Sequence, residues 1–88
     1  MNWAFDLTDD AKEDLKNLPK AVQKRVARVL EQMQHDPFQG DVKALHGDEW
    51  KGMFRRRLGD YRILFLPDWA HQIVHILRIV IRSGKTYR

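Results

Sequence analysis

The chain has 88 residues, of which 43% are hydrophobic and 32% charged, and it contains no cysteine. A chain of this length forms one domain whose small core leaves it marginally stable without a partner. The absence of cysteine excludes disulfide bonds, thiolate metal sites and a cysteine nucleophile. The formal net charge of +4 favours a polyanionic partner, nucleic acid first and an acidic protein second.

The apolar residues are not arranged for export or for membrane insertion. Residues 1–6 lack a basic segment followed by an apolar run, so the sequence predicts no signal peptide. The longest apolar stretch, from Ile73 to Ile81, is interrupted by His75 and Arg78, which excludes a membrane span. We therefore expect a soluble protein of the cytoplasm.

Two predicted helices follow a first predicted strand. Large apolar residues alternate at positions 3, 5 and 7, as in a half-buried strand, and Thr8 then offers a helix N-cap. Pro19 ends the first helix and suits the first turn of the second. The apolar stripe of the second helix consists of Val22, Val26, Val29, Leu30 and Met33. Asp36 and Pro37 end this helix, so the two helices are predicted to form an antiparallel hairpin.

The segment from Phe38 to Lys51 is predicted to be irregular. Glycines at positions 40, 47 and 52 signal turns in and after it. Val42 and Leu45 are expected to anchor the segment in the core. Trp50 either packs there as well or stays partly exposed.

Three predicted strands follow. Met53 to Leu58 and Tyr61 to Leu66 form a β-hairpin around the two-residue turn Gly59-Asp60. Gln72 to Ile81 is rich in β-branched residues and predicts a central strand. The predicted fold is therefore α+β, in a single domain spanning residues 1–88. It comprises an N-terminal strand, an antiparallel helix hairpin and a three-stranded antiparallel meander, which give a four-stranded sheet with both helices on one face.

Three arginines are predicted to share the sheet face that the helices leave free. Because side chains alternate along a strand, Arg55, Arg57 and Arg62 point away from the apolar face of the hairpin. Arg57 and Arg62 become direct cross-strand neighbours, an arrangement of like charges that costs roughly 0.2–1 kcal/mol. A solvated or internally paired basic face is one interpretation. A bound polyanion is the preferred one, because the planar guanidinium donates two hydrogen bonds to a phosphate.

Arg56 does not fit this alternation, because it falls among the apolar residues of the hairpin. Either its side chain extends to the margin of the sheet, or a β-bulge changes the register. A bulge would also change the pairing of the other arginines.

The sequence resembles toxins of the RelE/ParE superfamily over nearly its whole length. The resemblance centres on the run Phe54-Arg55-Arg56-Arg57-Leu58-Gly59-Asp60-Tyr61-Arg62-Ile63, and its specific part is the Arg-x-Arg-Leu-Gly-Asp-Tyr-Arg string from Arg55 to Arg62. Supporting similarity lies in the first helix, in the segment from Asp36 to Gly47, and in the ending Arg82…Tyr87-Arg88. The resemblance implies a toxin of a toxin–antitoxin pair. Members similar to RelE cut messenger RNA in the ribosomal A site without a metal, whereas members similar to ParE inhibit DNA gyrase.

The resemblance to the RelE-like branch, which we favour, also implies site residues. That branch places basic residues on the hairpin and on the last strand, with a tyrosine near the C-terminus. The implied catalytic residues are Arg57, Arg62, Arg82 and Tyr87. The resemblance also implies Arg55 and, more loosely, Lys85 for RNA binding, and we further predict Arg56 and Lys51 as RNA-binding residues.

RNA cleavage requires a deprotonated ribose 2′-oxygen, stabilisation of the charge that develops on the phosphate, and protonation of the leaving 5′-oxygen. Arginines supply the second requirement, which is electrostatic. Arg57 and Arg62 are expected to clamp the scissile phosphate, while Arg55 and Arg82 hold flanking phosphates. We expect no metal and no cofactor.

The general base is left open between Tyr87 and Lys85, since neighbouring cations lower the pKa of either group. An always-protonated guanidinium is a poor base. Tyr87 is alternatively a platform on which an RNA base stacks.

Histidines and tryptophans provide further candidates. The four histidines suit structural or surface roles better than metal binding, and His46 is the best remaining candidate because it precedes the basic hairpin. Trp3 is expected in the core. For Trp50 and Trp69 two roles stay open, namely packing at the rim of the core and stacking on RNA bases.

Three functions therefore stay open at this stage. The first is a ribosome-dependent endoribonuclease, the second a ParE-like gyrase inhibitor without chemistry of its own, and the third a catalytically silent antitoxin-binding member. The expected partners are messenger RNA on the ribosome and a cognate antitoxin that wraps an acidic amphipathic segment over the toxin. No membrane partner is expected, and the free toxin is expected to be a monomer.

Overall fold

A computed structural model describes residues 2–81 of the chain. Its elements are β1 Ala4–Leu7, α1 Asp9–Lys16, α2 Lys20–His35, β2 Val42–Ala44, the 3-10 helix η1 Asp48–Trp50, β3 Phe54–Leu58, β4 Tyr61–Asp68 and β5 Ile73–Ile81. Within residues 2–81 the strands form a five-stranded sheet in the order β1-β5-β4-β3-β2. β1 is parallel to β5, and the other neighbours are antiparallel. The predicted α+β class is confirmed. Neither helix of this range has the length and apolar character needed to cross a membrane.

The sheet has one strand more than the sequence predicted. β2 lies in the segment expected to be irregular and pairs with the outer edge of β3, with Lys43 opposite Arg55. Three residues are too few to show the alternation that marks a strand. The pairing provides partners for main-chain groups on an edge that would otherwise be exposed. Val42 packs against the core as expected, whereas Leu45 lines a groove on the open face of the sheet.

The apolar stripe of α2 packs against the sheet and forms the core. The buried residues are Val26, Val29, Leu30 and Met33 on the helix and Ile63, Phe65, Val74, Ile76 and Ile79 on the strands. Val22 is half-buried at the margin of this cluster. Trp3, which is 9% exposed, belongs to it, so its predicted core position is confirmed.

A side chain joins the two helices in addition to the turn at Pro19. The Nε2 atom of Gln23 donates to the carbonyl oxygens of Leu15, Lys16 and Leu18 at 3.0, 3.2 and 3.1 Å. The last carbonyl groups of a helix lack partners within it, so Gln23 satisfies the end of α1 from the first turns of α2. Pro19 itself is the N-cap of α2, one residue before the position predicted for it.

Thr8 connects the end of β1 to the beginning of α1. Its main-chain N–H donates to the carbonyl of Ile76 at 3.0 Å, and its hydroxyl donates to the carbonyl of Leu77 at 2.8 Å. The same hydroxyl oxygen accepts from the N–H of Ala11 at 3.1 Å, which confirms Thr8 as the N-cap of α1. The Thr8 side chain thus binds the main chain of β5 and caps the first turn of α1.

Asp14 of α1 covers the edge of β5 beyond the last residue of β1. Its carboxylate accepts from the N–H of Ile79 at 2.9 Å and from two nitrogens of Arg78 at 2.7 and 3.0 Å. The hydrogen bonds from Arg78, together with the one from Ile79, hold the pKa of Asp14 below its ordinary value. The carboxylate therefore fixes α1 on the sheet in its ionised form.

We expect Asp14→Ala to lower the free energy of unfolding by about 2 kcal/mol at neutral pH, because three donor nitrogens on Arg78 and Ile79 lose a charged acceptor. A carboxyl whose pKa is lowered by folding stabilises the protein above its unfolded pKa of about 3.9 and loses that effect as the pH falls through the folded value. Urea unfolding at pH 7 and at about pH 2 should thus show a difference that shrinks in acid. The exposed neighbour Glu13→Ala should change stability little, and an equal cost of Asp14→Ala at both pH values would contradict this role.

Candidate functional site

The register of the β3–β4 hairpin places three arginines on the sheet face opposite the helices. Arg57 lies opposite Arg62, and Arg55 opposite Leu64, as predicted. The turn begins at Gly59, whose φ of 60° lies in the left-handed region that glycine adopts without strain. The predicted pairing of the hairpin is therefore confirmed.

Arg57 and Arg62 are direct cross-strand partners with different surroundings. Arg57 is exposed, whereas Arg62 is half-buried and its Nε atom is shielded from solvent. The packing around Arg62 restricts its guanidinium, so little conformational entropy is left to lose when it binds an anion. Like charges directly opposite cost roughly 0.2–1 kcal/mol, a cost that a bound anion between them would offset.

Arg55 lies on the same face but is held by a carboxylate. Its Nη1 atom donates to Oδ1 and to the main-chain oxygen of Asp41, both at 3.2 Å, and its side chain is only 11% exposed. The hydrogen bond from Arg55 holds the pKa of Asp41 below its ordinary value. Asp41 also accepts from the N–H of Arg57 at 2.9 Å through its main-chain oxygen. The structure thus positions Arg55 from the start of β2 rather than leaving it open to solvent.

Arg56 lies on the other face of the sheet and does not join the three arginines. There is no bulge between β3 and β4 over their paired residues, and the one irregularity recorded in the neighbouring pairing lies at Leu64 and Phe65, between β4 and β5. The Arg56 side chain turns to the margin of the sheet, where its Nη1 atom donates to the carbonyl of Arg57 at 2.7 Å. It lies against Gly40, at which a Cβ would be 2.7 Å from the guanidinium carbon. Of the two interpretations of Arg56, the side chain at the margin of the sheet is confirmed and the bulge in the hairpin is wrong, while its RNA-binding role stays a prediction.

Beside the arginines the open face contains a groove of about 290 Å³. Its lining residues are Lys43, Ala44, Leu45, His46, Trp50, Arg55 and Arg62. Two of the predicted arginines therefore contribute to the groove, and Arg57 stands next to it as the partner of Arg62. Lys43 was not predicted as a site residue, because its position depends on β2, whereas His46 and Trp50 were candidates.

Of the remaining predicted site residues, those that the structure describes do not line the groove. Lys51 is exposed in the turn between η1 and β3. Arg82, Lys85 and Tyr87 lie outside the described residues. The described part of β5 ends at Ile81, the residue after the strand partner of Arg62.

The histidines of β5 and of the turn before it contact carboxylates. The Nδ1 atom of His71 is 2.9 Å from Oδ2 of Asp68, and that of His75 is 3.1 Å from Oδ2 of Asp6. Hydrogen bonds from the main chain and side chain of His71 hold the pKa of Asp68 below its ordinary value. These contacts connect β1, β4 and β5, which is a structural role.

Trp69 is the most exposed tryptophan and lies away from the groove. Its side chain is 64% exposed, stacks on Phe38 with ring centroids 5.1 Å apart, and meets Trp3 edge-on at 5.3 Å. Trp69 therefore extends the aromatic rim of the core. Trp50, which is half-buried, is the tryptophan that faces the basic residues.

We expect Asp41→Asn to increase the affinity of the open face for a small anion, because Arg55 then loses its charged partner. Because an exposed ion pair contributes little to stability, the variant should unfold at nearly the same urea concentration as the wild type, whereas sulfate should bind about two- to fivefold more tightly. Sulfate titration followed by the arginine side-chain NMR signals measures this. Asp48→Asn, which removes an exposed carboxylate from η1 in the same loop, is the control. An equal gain in both variants would mean that only net charge matters.

The chain is similar to toxins of toxin–antitoxin systems in sequence and in structure. Residues 5–85 match the family described as the ParE toxin of the type II toxin–antitoxin system parDE. A curated relative from Methanocaldococcus jannaschii, which bears the name toxin RelE1, is 29% identical over 87 residues. The match covers 96% of this chain and 94% of the relative.

Solved toxin–antitoxin complexes contain chains of the same fold. A chain of the RelBE2 complex from Mycobacterium tuberculosis superposes with a TM-score of 0.83 and 29% identity, covering 93% of this chain and 100% of that one. A chain of the RelE–RelB complex from Pyrococcus horikoshii OT3 gives 0.80 and 27%, covering 96% and 99%. The ParE toxin match spans most of the sequence, and the chain therefore belongs to the RelE/ParE superfamily of type II toxin–antitoxin toxins.

Proposed function

We propose that this toxin is a ribosome-dependent, metal-independent endoribonuclease that cleaves messenger RNA. The observation that carries the proposal is the Arg57–Arg62 pair, two guanidinium groups on neighbouring strands beside a groove. A phosphodiester placed between them would accept hydrogen bonds from both guanidinium groups and offset the repulsion between two like charges on facing strands.

The chemistry asked of the arginines is electrostatic. In the reaction the ribose 2′-oxygen attacks phosphorus, the bond to the 5′-oxygen breaks, and negative charge builds on the non-bridging oxygens. Arg57 and Arg62 stabilise that charge, and the restricted position of Arg62 means that little reorganisation accompanies the step. Removing one such donor typically costs roughly 10²–10³-fold in rate.

Proton transfer is assigned to residues near the C-terminus. Tyr87 or Lys85 takes the proton from the 2′-hydroxyl, since arginine is a poor base. Arg82 holds a phosphate next to the scissile one. Arg55 holds a second flanking phosphate after RNA has displaced the carboxylate of Asp41.

The partner that controls the toxin is proposed to be an acidic antitoxin. The similar chains from Mycobacterium tuberculosis and Pyrococcus horikoshii come from toxin–antitoxin complexes. For this chain, a net charge of +4 and the basic open face favour an acidic segment that wraps the toxin and competes with RNA.

Inhibition of DNA gyrase is the second candidate, because the matching family is described as the ParE toxin. A gyrase inhibitor of this superfamily needs a binding surface but no transfer of protons. An endoribonuclease therefore needs the arginine pair for a chemical step, whereas a gyrase inhibitor would need it only for binding.

We expect purified Arg62→Ala to lose roughly 10²–10³-fold in the rate of messenger RNA cleavage on programmed ribosomes, while its circular dichroism stays unchanged. Arg62→Lys keeps the charge but not the two-pronged donor, and should recover part of the activity. Lys24→Ala, which removes an exposed cation from α2, is the matched control and should cleave normally. Full activity of Arg62→Ala would remove the arginine pair from the mechanism.

Primer extension after induction of the toxin separates the two candidate targets. Discrete cut sites within reading frames, absent when Arg62→Ala is induced, are the result expected for the endoribonuclease. Intact transcripts together with loss of gyrase supercoiling activity in vitro would instead identify a gyrase inhibitor.

A further inference from the structure

We propose that the groove on the open face is a nucleobase subsite, in which one unpaired RNA base stacks on Trp50 and is read by His46. The inference rests on the proposed function, because it places this base next to the phosphate held by Arg57 and Arg62. It assigns the sequence preference of the toxin to the loop between β2 and β3.

The size of the groove suits one base. Its volume of about 290 Å³ lies at the lower end of the range for small-molecule sites. Ala44 and Leu45 provide apolar lining, and the half-buried indole of Trp50 provides an aromatic wall. A duplex cannot present a base to such a groove, whereas single-stranded RNA recognition commonly stacks a splayed base on an aromatic side chain.

The charges around the groove suit the backbone of the same nucleotide. Lys43 and Arg55 are cross-strand neighbours on one side, and Arg62 lies diagonally across β4. Arg62 is shared between the groove and the pair with Arg57, so a base in the groove has its phosphate within reach of that pair. A ligand without a ring would contact the cations of the groove but could not stack on Trp50.

Main-chain hydrogen bonds hold the loop that carries Trp50 in place. The N–H of Trp50 donates to the carbonyl of Gly47 at 3.1 Å, and the carbonyl of Trp50 accepts from the N–H of Met53 at 2.9 Å. The N–H of Leu45 donates to the carbonyl of Met53 at 3.0 Å. Gly47 has a φ of 103°, and a Cβ there would lie 3.4 Å from Cδ1 of Trp50. These bonds thus hold the backbone that carries the indole.

His46 provides the polar contacts that distinguish bases. It is exposed, lies beside the groove, and its imidazole both donates and accepts hydrogen bonds when neutral. The Watson–Crick edges of the four bases differ in their order of donors and acceptors, so hydrogen bonds to the His46 imidazole favour some bases over others.

NMR titration of the full-length toxin with nucleoside 5′-monophosphates tests the subsite. The indole N–H signal of Trp50 should shift with nucleotide but not with ribose 5-phosphate or inorganic phosphate, which lack a base. Trp50→Ala should weaken nucleotide binding about tenfold and leave ribose 5-phosphate binding unchanged, because stacking on the base is lost. Trp50→Phe should restore most of it. Trp69→Phe, at the exposed tryptophan outside the groove, is the control.

The same variants separate this inference from the proposed function. Altered cut-site preference in His46→Ala, with nucleotide-dependent shifts at Trp50, supports both. If the wild-type toxin binds nucleotides at Trp50 but cleaves no messenger RNA, the nuclease fails and the subsite stands. If Trp50→Ala binds nucleotides as tightly as wild type and cuts at the same sites, the subsite is overturned and the nuclease stands.

Discussion

The open face depends on the register between β3 and β4. Because side chains alternate along a strand, a shift of one residue would exchange the arginines for the apolar side chains that now form the core. Burial of Ile63 and Phe65 against α2 therefore fixes the position of Arg57 opposite Arg62. The hydrophobic effect positions the charges here, and their repulsion is too small to oppose it.

The arginines next to this pair have different partners. Asp41 compensates Arg55 and also accepts a main-chain hydrogen bond from Arg57, so one residue at the start of β2 organises a guanidinium and the edge of β3. Arg56 is directed away to the margin of the sheet. The three consecutive arginines Arg55, Arg56 and Arg57 therefore place fewer cations on the open face than their number suggests.

The elements that the sequence predicted correctly are those with a clear period. The stripe of α2, the cap at Thr8 and the β3–β4 hairpin follow from spacing and turn residues, and the structure agrees with each. β2 was missed because three residues show no period, and the groove was missed with it. The pairing of Arg55 with Asp41 could not be predicted either, since it depends on where an irregular segment meets the sheet.

The pairing of β1 with β5 joins the first and last strands of the described residues, Ala4 lying beside Ile73. Contacts of such long range form late, because a large loop must close before they are made. During synthesis β1 has to wait for β5, while the α1–α2 pair and the hairpin can assemble from neighbouring segments. The sheet, and with it the support behind the arginines, is thus completed only once β5 has been synthesised and has reached β1.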